Sequence, residues 1–166
     1  DQYVGKYQIA SLGRYLKRII GKTGILFSAA LMLGARTANL PDSVTRIFGR
    51  FGNCFGAAFQ IRDDLLDILS DQKTEGKPVL NDLREGIATL PVILSVRNNK
   101  ALEAQVKEVF NGEGDIYELV KNIISSGGVK DAEKVKNKYI QKCKKYIECL
   151  PRTAYTSALE EVVNWL

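Results

Sequence analysis

Histidine is missing from all 166 residues. That removes the commonest general base and the commonest metal ligand together, so any chemistry has to run on carboxylates, Lys, Arg, hydroxyls or the substrate itself. Cysteine is scarce: Cys54, Cys143 and Cys149 are odd in number and lack metal-binding spacing, which points to reduced thiols in a cytoplasmic protein. No stretch sustains the apolar–polar alternation of a strand, and no segment repeats. Signal-peptide features are lacking. The longest apolar run, Gly24 to Ala35, is bounded by Lys22 and Arg36 and reads as too short to span a bilayer. Zinc spacing and basic–aromatic interleaving are both missing, which sets nucleic-acid binding aside. The chain opens on Asp1 rather than Met, so a fragment or an ordered part of something longer is the expectation.

What is present is an all-α pattern. A hydrophobic content of 45% suits one globular unit over 1–166. Gln8 to Arg36 is helical in period and apolar nearly all round after Ile19, as a buried helix would be. Set into it is Gly21-Lys22-Thr23-Gly24, where Lys22 either marks the wet rim or places a point charge on a phosphate. Asn39-Leu40-Pro41-Asp42 breaks the chain, with Asp42 or Ser43 as N-cap of a long helix from about Val44 to Ser70. A polar loop spans Asp71 to Gly86 and carries Lys73, Lys77 and Arg84. Thr89 and Pro91 then start a helix that runs to about Arg97. Further helices are expected over Ala101–Phe110, Asp115–Ser126 and Val129–Cys149, the last with a solvated lysine face, and a final one from Pro151.

Net charge is +5, but it is uneven: residues 1–50 hold eight Lys and Arg against Asp1 and Asp42. A basic segment beside an acidic one suits an anionic ligand bridged by metal. The acidic part is Phe59-Gln60-Ile61-Arg62-Asp63-Asp64-Leu65-Leu66-Asp67. At about 100° per residue, with Asp63 at zero, Asp67 falls near 40°, Gln60 near 60°, Asp71 near 80° and Asp64 near 100°. Gly49, Gly52, Asn53 and Gly56 lie on the same side, so the approach is lined with little bulk and would suit a cavity. Arg62, at about 260°, falls in the apolar arc and is expected to be paired or to snorkel. Crowded carboxylates repel, so the stripe is either a solvated acidic face or a site for a hard divalent cation such as magnesium.

Taken in order, Lys22-Thr23, Phe59-Gln60-x-x-Asp63-Asp64-x-x-Asp67, Gly76-Lys77-Pro78, Asp82-Leu83, Gly86 and Thr89-Leu90-Pro91 resemble the trans-isoprenyl diphosphate synthases of the polyprenyl synthetase family. The match runs from about Tyr15 to Val96 and is closest in kind to bacterial medium- and long-chain polyprenyl diphosphate synthases. The resemblance implies the all-α isoprenoid synthase fold. It implies that Asp63, Asp64 and Asp67 bind Mg2+ bridging an allylic diphosphate, and that Lys22 and Lys77 contact that diphosphate. Thr23 and Gln60 would turn oxygens toward the developing allylic cation. The reaction implied is condensation of isopentenyl diphosphate with the allylic diphosphate. A homodimer, or a heterodimer with a small subunit, and a peripheral membrane contact for product release belong to the same expectation.

The family's first aspartate-rich motif has no counterpart here, so the chain resembles the C-terminal half of the family domain and is expected to be inactive alone. Position 87 is Ile where many members carry Lys. A terpene cyclase of the same fold is the nearest rival, but Asn81-Asp82-Leu83-Arg84-Glu85 lacks the Ser or Thr its second motif requires. A non-catalytic helical subunit is the rival of another class, and the intact acidic motif argues against it.

Overall fold

The computed structural model describes residues 9–69 and 80–166. They form helices α1 (Leu12–Ile19), α2 (Ile25–Thr37), α3 (Asp42–Leu69), α4 (Asn81–Arg84), α5 (Leu90–Asn98), α6 (Leu102–Phe110), α7 (Ile116–Ser125), α8 (Gly128–Glu148) and α9 (Ala154–Asn164). A π-helical turn, Ile20–Gly24, joins α1 to α2. Among the described residues the only extended pairing is a single bridge at Ile87, so the protein is all-α.

Contacts divide the chain into two compact units. One holds the N-terminal stretch up to Tyr15 together with Asp63–Lys134, and the other holds Leu16–Arg62 together with Val135–Leu166. Helices α3 and α8 each run through both.

In the first unit, α5 is the core helix, with Leu90 through Val96 all buried. Thr89 precedes it in extended conformation and Pro91 fits its first turn, where the missing N–H costs nothing. Ser95, the one hydroxyl of that helix, donates to the Pro91 carbonyl at 2.7 Å, so no polar group is stranded in the apolar interior. Asp115 caps α7 by accepting from the Tyr117 N–H at 2.8 Å and the Glu118 N–H at 3.2 Å.

The second unit is built on a cluster of Phe51, Cys54, Phe55, Ala58, Cys143, Ile147, Val163 and Leu166. Phe27, Phe55 and Phe59 tile against one another with centroids 5.0 and 5.8 Å from Phe27. Burial, and then the neighbouring Cys54, push the Cys143 thiol up to about 12, so it is an inert packing group. The last helix starts at Ala154, three residues beyond Pro151, because Thr153 closes a capping box with Thr156.

The helix expected over Gln8–Arg36 differs in three ways. It begins at Leu12, and it contains the π-turn. It is also not a buried rod: α2 buries Ser28 and Ala35, whereas Ile25, Leu26 and Leu33 are 58%, 70% and 68% exposed. From Leu12 to Thr37 the helical run is 26 residues, long and apolar enough by length and composition to cross a membrane, which corrects the reading that the run is too short.

Candidate functional site

The acidic stripe lies in the first unit, at the end of α3. Asp64 is 4% exposed and accepts a hydrogen bond from the Tyr15 hydroxyl at 2.6 Å. A buried carboxylate needs such a donor. Asp67 reaches forward over the chain. Its Oδ1 accepts from the Asn81 N–H at 3.0 Å and its Oδ2 from the Asp82 N–H at 3.2 Å, while its own carbonyl takes the Leu80 N–H at 3.0 Å. Leu80 sits in the left-handed region at φ 61° and Gly86 at φ 72°, so the α4 turn is a tight bracket closed on the acidic helix. A carboxylate is suited to that role because it satisfies backbone donors that a helix start leaves open.

The bracket brings in a carboxylate that the helical angles did not single out. Asp82 stands on α4 beside the stripe. Burial first, and then the charges of Asp64, Asp67, Asp63 and Glu85, push its carboxyl up to about 7. The signal was in the sequence as the Asn81-Asp82-Leu83 motif, but only the fold of α4 back onto α3 makes Asp82 part of the acidic group. Asp63 is exposed, Asp67 half-buried and Asp64 buried. Among the described residues no three carboxylates or thiols converge closely enough to hold an ion unaided. Asp64 and Asp67 are turned to Tyr15 and to α4 instead.

The donor set nevertheless fits magnesium. All the groups are hard carboxylate oxygens, and burial first, then their charges, raise Asp82 to about 7. Magnesium takes only one or two protein carboxylates and completes its shell with water and phosphate oxygens.

Lys22, Thr23 and Gln60 belong to the second unit. Lys22 and Thr23 sit inside the π-turn, where Lys22 is exposed and Thr23 half-buried. Insertions of this kind recur at functional positions because they re-aim side chains on an otherwise regular helix. Periodicity alone could not show it. The Thr23 hydroxyl donates to Gln60 Oε1 at 3.0 Å, which ties the turn to α3 and groups two of the expected site oxygens. Arg62 finds its partner in Trp165: the guanidinium carbon lies 3.9 Å from the ring centroid, with Phe59 stacked at 6.3 Å on the same indole. Lys77, expected to contact a diphosphate, lies outside the described residues, as do Gly76 and Pro78.

The glycine-lined approach is not a cavity. A Cβ on Gly52 would meet the Ser28 backbone at 2.6 Å, one on Gly56 would meet Gly24 Cα at 2.7 Å, and one on Gly49 would meet Met32 Sδ at 2.7 Å. At Gly52 and Gly56, α3 packs backbone to backbone on Ser28 of α2 and Gly24 of the π-turn, and at Gly49 it takes the Met32 side chain, so the space that the sequence left open is filled.

The family model for polyprenyl synthetases matches residues 2–127 of the chain. Heptaprenyl diphosphate synthase component 2 of Bacillus subtilis is 31% identical over 170 residues, covering 100% of this chain and 48% of that protein. A crystal structure of heptaprenyl diphosphate synthase from Staphylococcus aureus superimposes with a TM-score of 0.88 at 29% identity, over 98% of this chain and 52% of its own. A polyprenyl synthase from Caulobacter crescentus, solved with calcium and isoprenyl diphosphate, gives a TM-score of 0.90 at 28% identity, over 99% and 52%. The chain thus spans about half or less of the length of the curated relatives it matches.

Proposed function

The chain belongs to the polyprenyl synthetase family, and we propose that it carries the half of a trans-prenyl diphosphate synthase bearing the second aspartate-rich motif. The completed enzyme condenses isopentenyl diphosphate with an allylic diphosphate. The observation that carries this reading is the acidic group around Asp63, Asp64, Asp67 and Asp82, where burial first and then the neighbouring carboxylates raise Asp82 to about 7. Such crowding is costly unless a cation relieves it.

Asp63, Asp64 and Asp67 would hold Mg2+, which when bound neutralises charge on the diphosphate leaving group. The Tyr15 hydroxyl positions Asp64 by donating to it, and Asp67 keeps the α4 bracket in place. Lys22 and Lys77 contribute point charges toward the diphosphate. Thr23 and Gln60, already hydrogen-bonded to each other, orient their oxygens toward the allylic carbon as positive charge develops there. The allylic C–O bond breaks with its electron pair going to pyrophosphate. The isopentenyl double bond attacks the cation to form the new C–C bond, and the proton lost from the adduct passes to the departing pyrophosphate. No protein base is needed, which accords with a chain that has no histidine.

The first half of the domain, with the other acidic motif, comes from outside these 166 residues. A B. subtilis relative named as component 2 of its synthase supports a multi-subunit arrangement, so the assembly is a homodimer or a heterodimer with a small subunit. Free Cys54, Cys143 and Cys149 accord with a cytoplasmic location, and the long-chain product calls for a peripheral membrane contact on release.

Calorimetry tests the reading. On the completed protein, Mg2+ should be required for an allylic diphosphate analogue to bind, and Asp63→Ala should abolish that requirement together with the binding. Unchanged binding in D63A would favour a non-catalytic interaction subunit. Magnesium-dependent chain elongation by the 166 residues alone would sink the half-site reading.

A further inference from the structure

Helix α8 is one-sided in charge. Over Gly128–Glu148 it holds seven lysines and three carboxylates, and no arginine. With Lys130 at zero and about 100° per residue, Lys134 falls near 40°, Lys145 near 60°, Lys138 near 80° and Lys142 near 120°. All five are exposed. The buried side chains of the helix, Ala132, Cys143 and Ile147, lie on the other side, between about 200° and 260°. The stripe runs about 22 Å along the axis with a lysine at every turn. Two carboxylates border it. Asp131 is already taken by Lys134 at 2.8 Å and by the Asn98 amide at 2.9 Å, and Glu148 stands at the last residue of the helix. The ion pairs among the described residues engage no other lysine of the stripe.

We infer that this face docks the chain on an anionic lipid bilayer, with the lysine ammonium groups at the level of the lipid phosphates. Charge complementarity selects that occupant. A protein partner draws on arginine and aromatic side chains and depletes lysine, whose long stem loses rotamer freedom when it is pinned. This face offers lysine, with exposed Asn137 and Gln141 between. A nucleic acid would call for arginine forks or stacking aromatics beside the lysines, and neither stands in the arc. A fluid anionic surface asks for no fixed geometry: each ammonium stays hydrated on its flexible stem while the summed field holds the helix down. The arc holds no apolar side chain, so the helix rests on the headgroups without inserting, and salt releases it. Each lysine brought to such a surface multiplies binding about fivefold. The binding stands on this charge pattern alone. Its use rests on the prenyl diphosphate synthase reading, in which an apolar product has to leave water for lipid.

Co-sedimentation with vesicles tests it on the 166-residue chain. Phosphatidylcholine vesicles in which a third of the lipid is phosphatidylserine should carry the chain down at low salt, and pure phosphatidylcholine should not. K138Q/K142Q/K145Q should weaken binding about a hundredfold, the product of three fivefold steps. K138R/K142R/K145R should retain it. K100Q/K107Q/K121Q removes the same charge from exposed positions elsewhere and should bind within about threefold of the unsubstituted chain, because screening keeps the attraction local. The melting temperature should hold in all three. If the glutamine triple variant melts lower, K138Q and K145Q singly, each expected to lose about fivefold, decide instead. Equal binding to neutral vesicles overturns the inference, as does no binding to anionic ones. So does a glutamine variant that binds like the unsubstituted chain, or a control variant that loses as much, since net charge alone would then be at work. A chain that leaves the vesicles for a short duplex DNA would assign the lysines to nucleic acid and overturn it too. Asp63→Ala should bind vesicles unchanged, so a failed magnesium site and a failed membrane face are told apart.

Discussion

Helix α3 carries two stretches on one side, and they meet opposite fates. From Gly49 to Gly56 that side is pressed against α2 and the π-turn, so an added Cβ would strike backbone at Gly52 and Gly56 and the Met32 side chain at Gly49. From Asp63 to Asp67 it carries carboxylates held by a tyrosine hydroxyl and by the N–H groups of an α4 bracket. The first stretch is a packing surface, intolerant of volume. The second is an electrostatic surface, sensitive to charge. Position on a helix face states which residues share a direction, not what will occupy it.

The sharpest way to break this contrast is to add bulk to the packing stretch. Gly52→Val should cost about 3 kcal/mol or more, because the obstacle at 2.6 Å is Ser28 backbone rather than a movable side chain. Urea denaturation showing a loss under 1 kcal/mol would mean that the two helices can part cheaply. Next is Tyr15→Phe, which removes a donor from a buried carboxylate and should cost about 1–3 kcal/mol. Urea denaturation reads the loss, and an unchanged midpoint would mean that Asp64 finds another donor.

Charge removal should act in the other direction. The Asp82 carboxyl is raised to about 7 in the fold, against about 3.9 when unfolded. Its ionised form is therefore penalised in the native state: the penalty is full above pH 7 and vanishes as pH falls to about 4. Asp82→Asn should raise stability at pH 8 by about 1 kcal/mol, after discounting for partial exposure, and change little at pH 4. Thermal melts at the two pH values, without divalent cations, read this directly, and an equal shift at both would remove repulsion as the cause. Smallest is Trp165→Ala, which strips Arg62 and Phe59 of their shared ring and should cost about 1 kcal/mol. Trp165→Phe should recover most of that loss, and a variant no more stable than W165A would assign the effect to the indole alone.

Much of this was legible in order of residues alone. Helix periodicity placed α3 within two residues of its ends, and Pro91 and Asp115 marked the starts of α5 and α7, because caps and periods are local physics. The acidic stripe and its order relative to Lys22-Thr23 and Thr89-Leu90-Pro91 were enough to identify the family. Asp63, Asp64 and Asp67 share a face because a helix has a fixed turn per residue, and no partner is needed to establish that.

What stayed out of reach depends on residues far apart in the chain. Glycine on a helix face is the same signal for an open cavity and for a close helix contact, and only the arrival of Ser28 and Gly24 decides for contact. Apolar residues all round α2 read as burial, yet Ile25, Leu26 and Leu33 are exposed because α3 takes the opposite face, with Phe27, Ser28 and Met32. Asp82 joins the acidic group through a bracket held by Asp67 across 15 residues, and Arg62 finds Trp165 at the other end of the chain. The sequence by itself determined the helices, the acidic face and the family, since these follow from local geometry and residue order. Which faces are covered, which carboxylates crowd together and where Arg62 rests were settled only by tertiary structure, because burial and charge depend on distance in space.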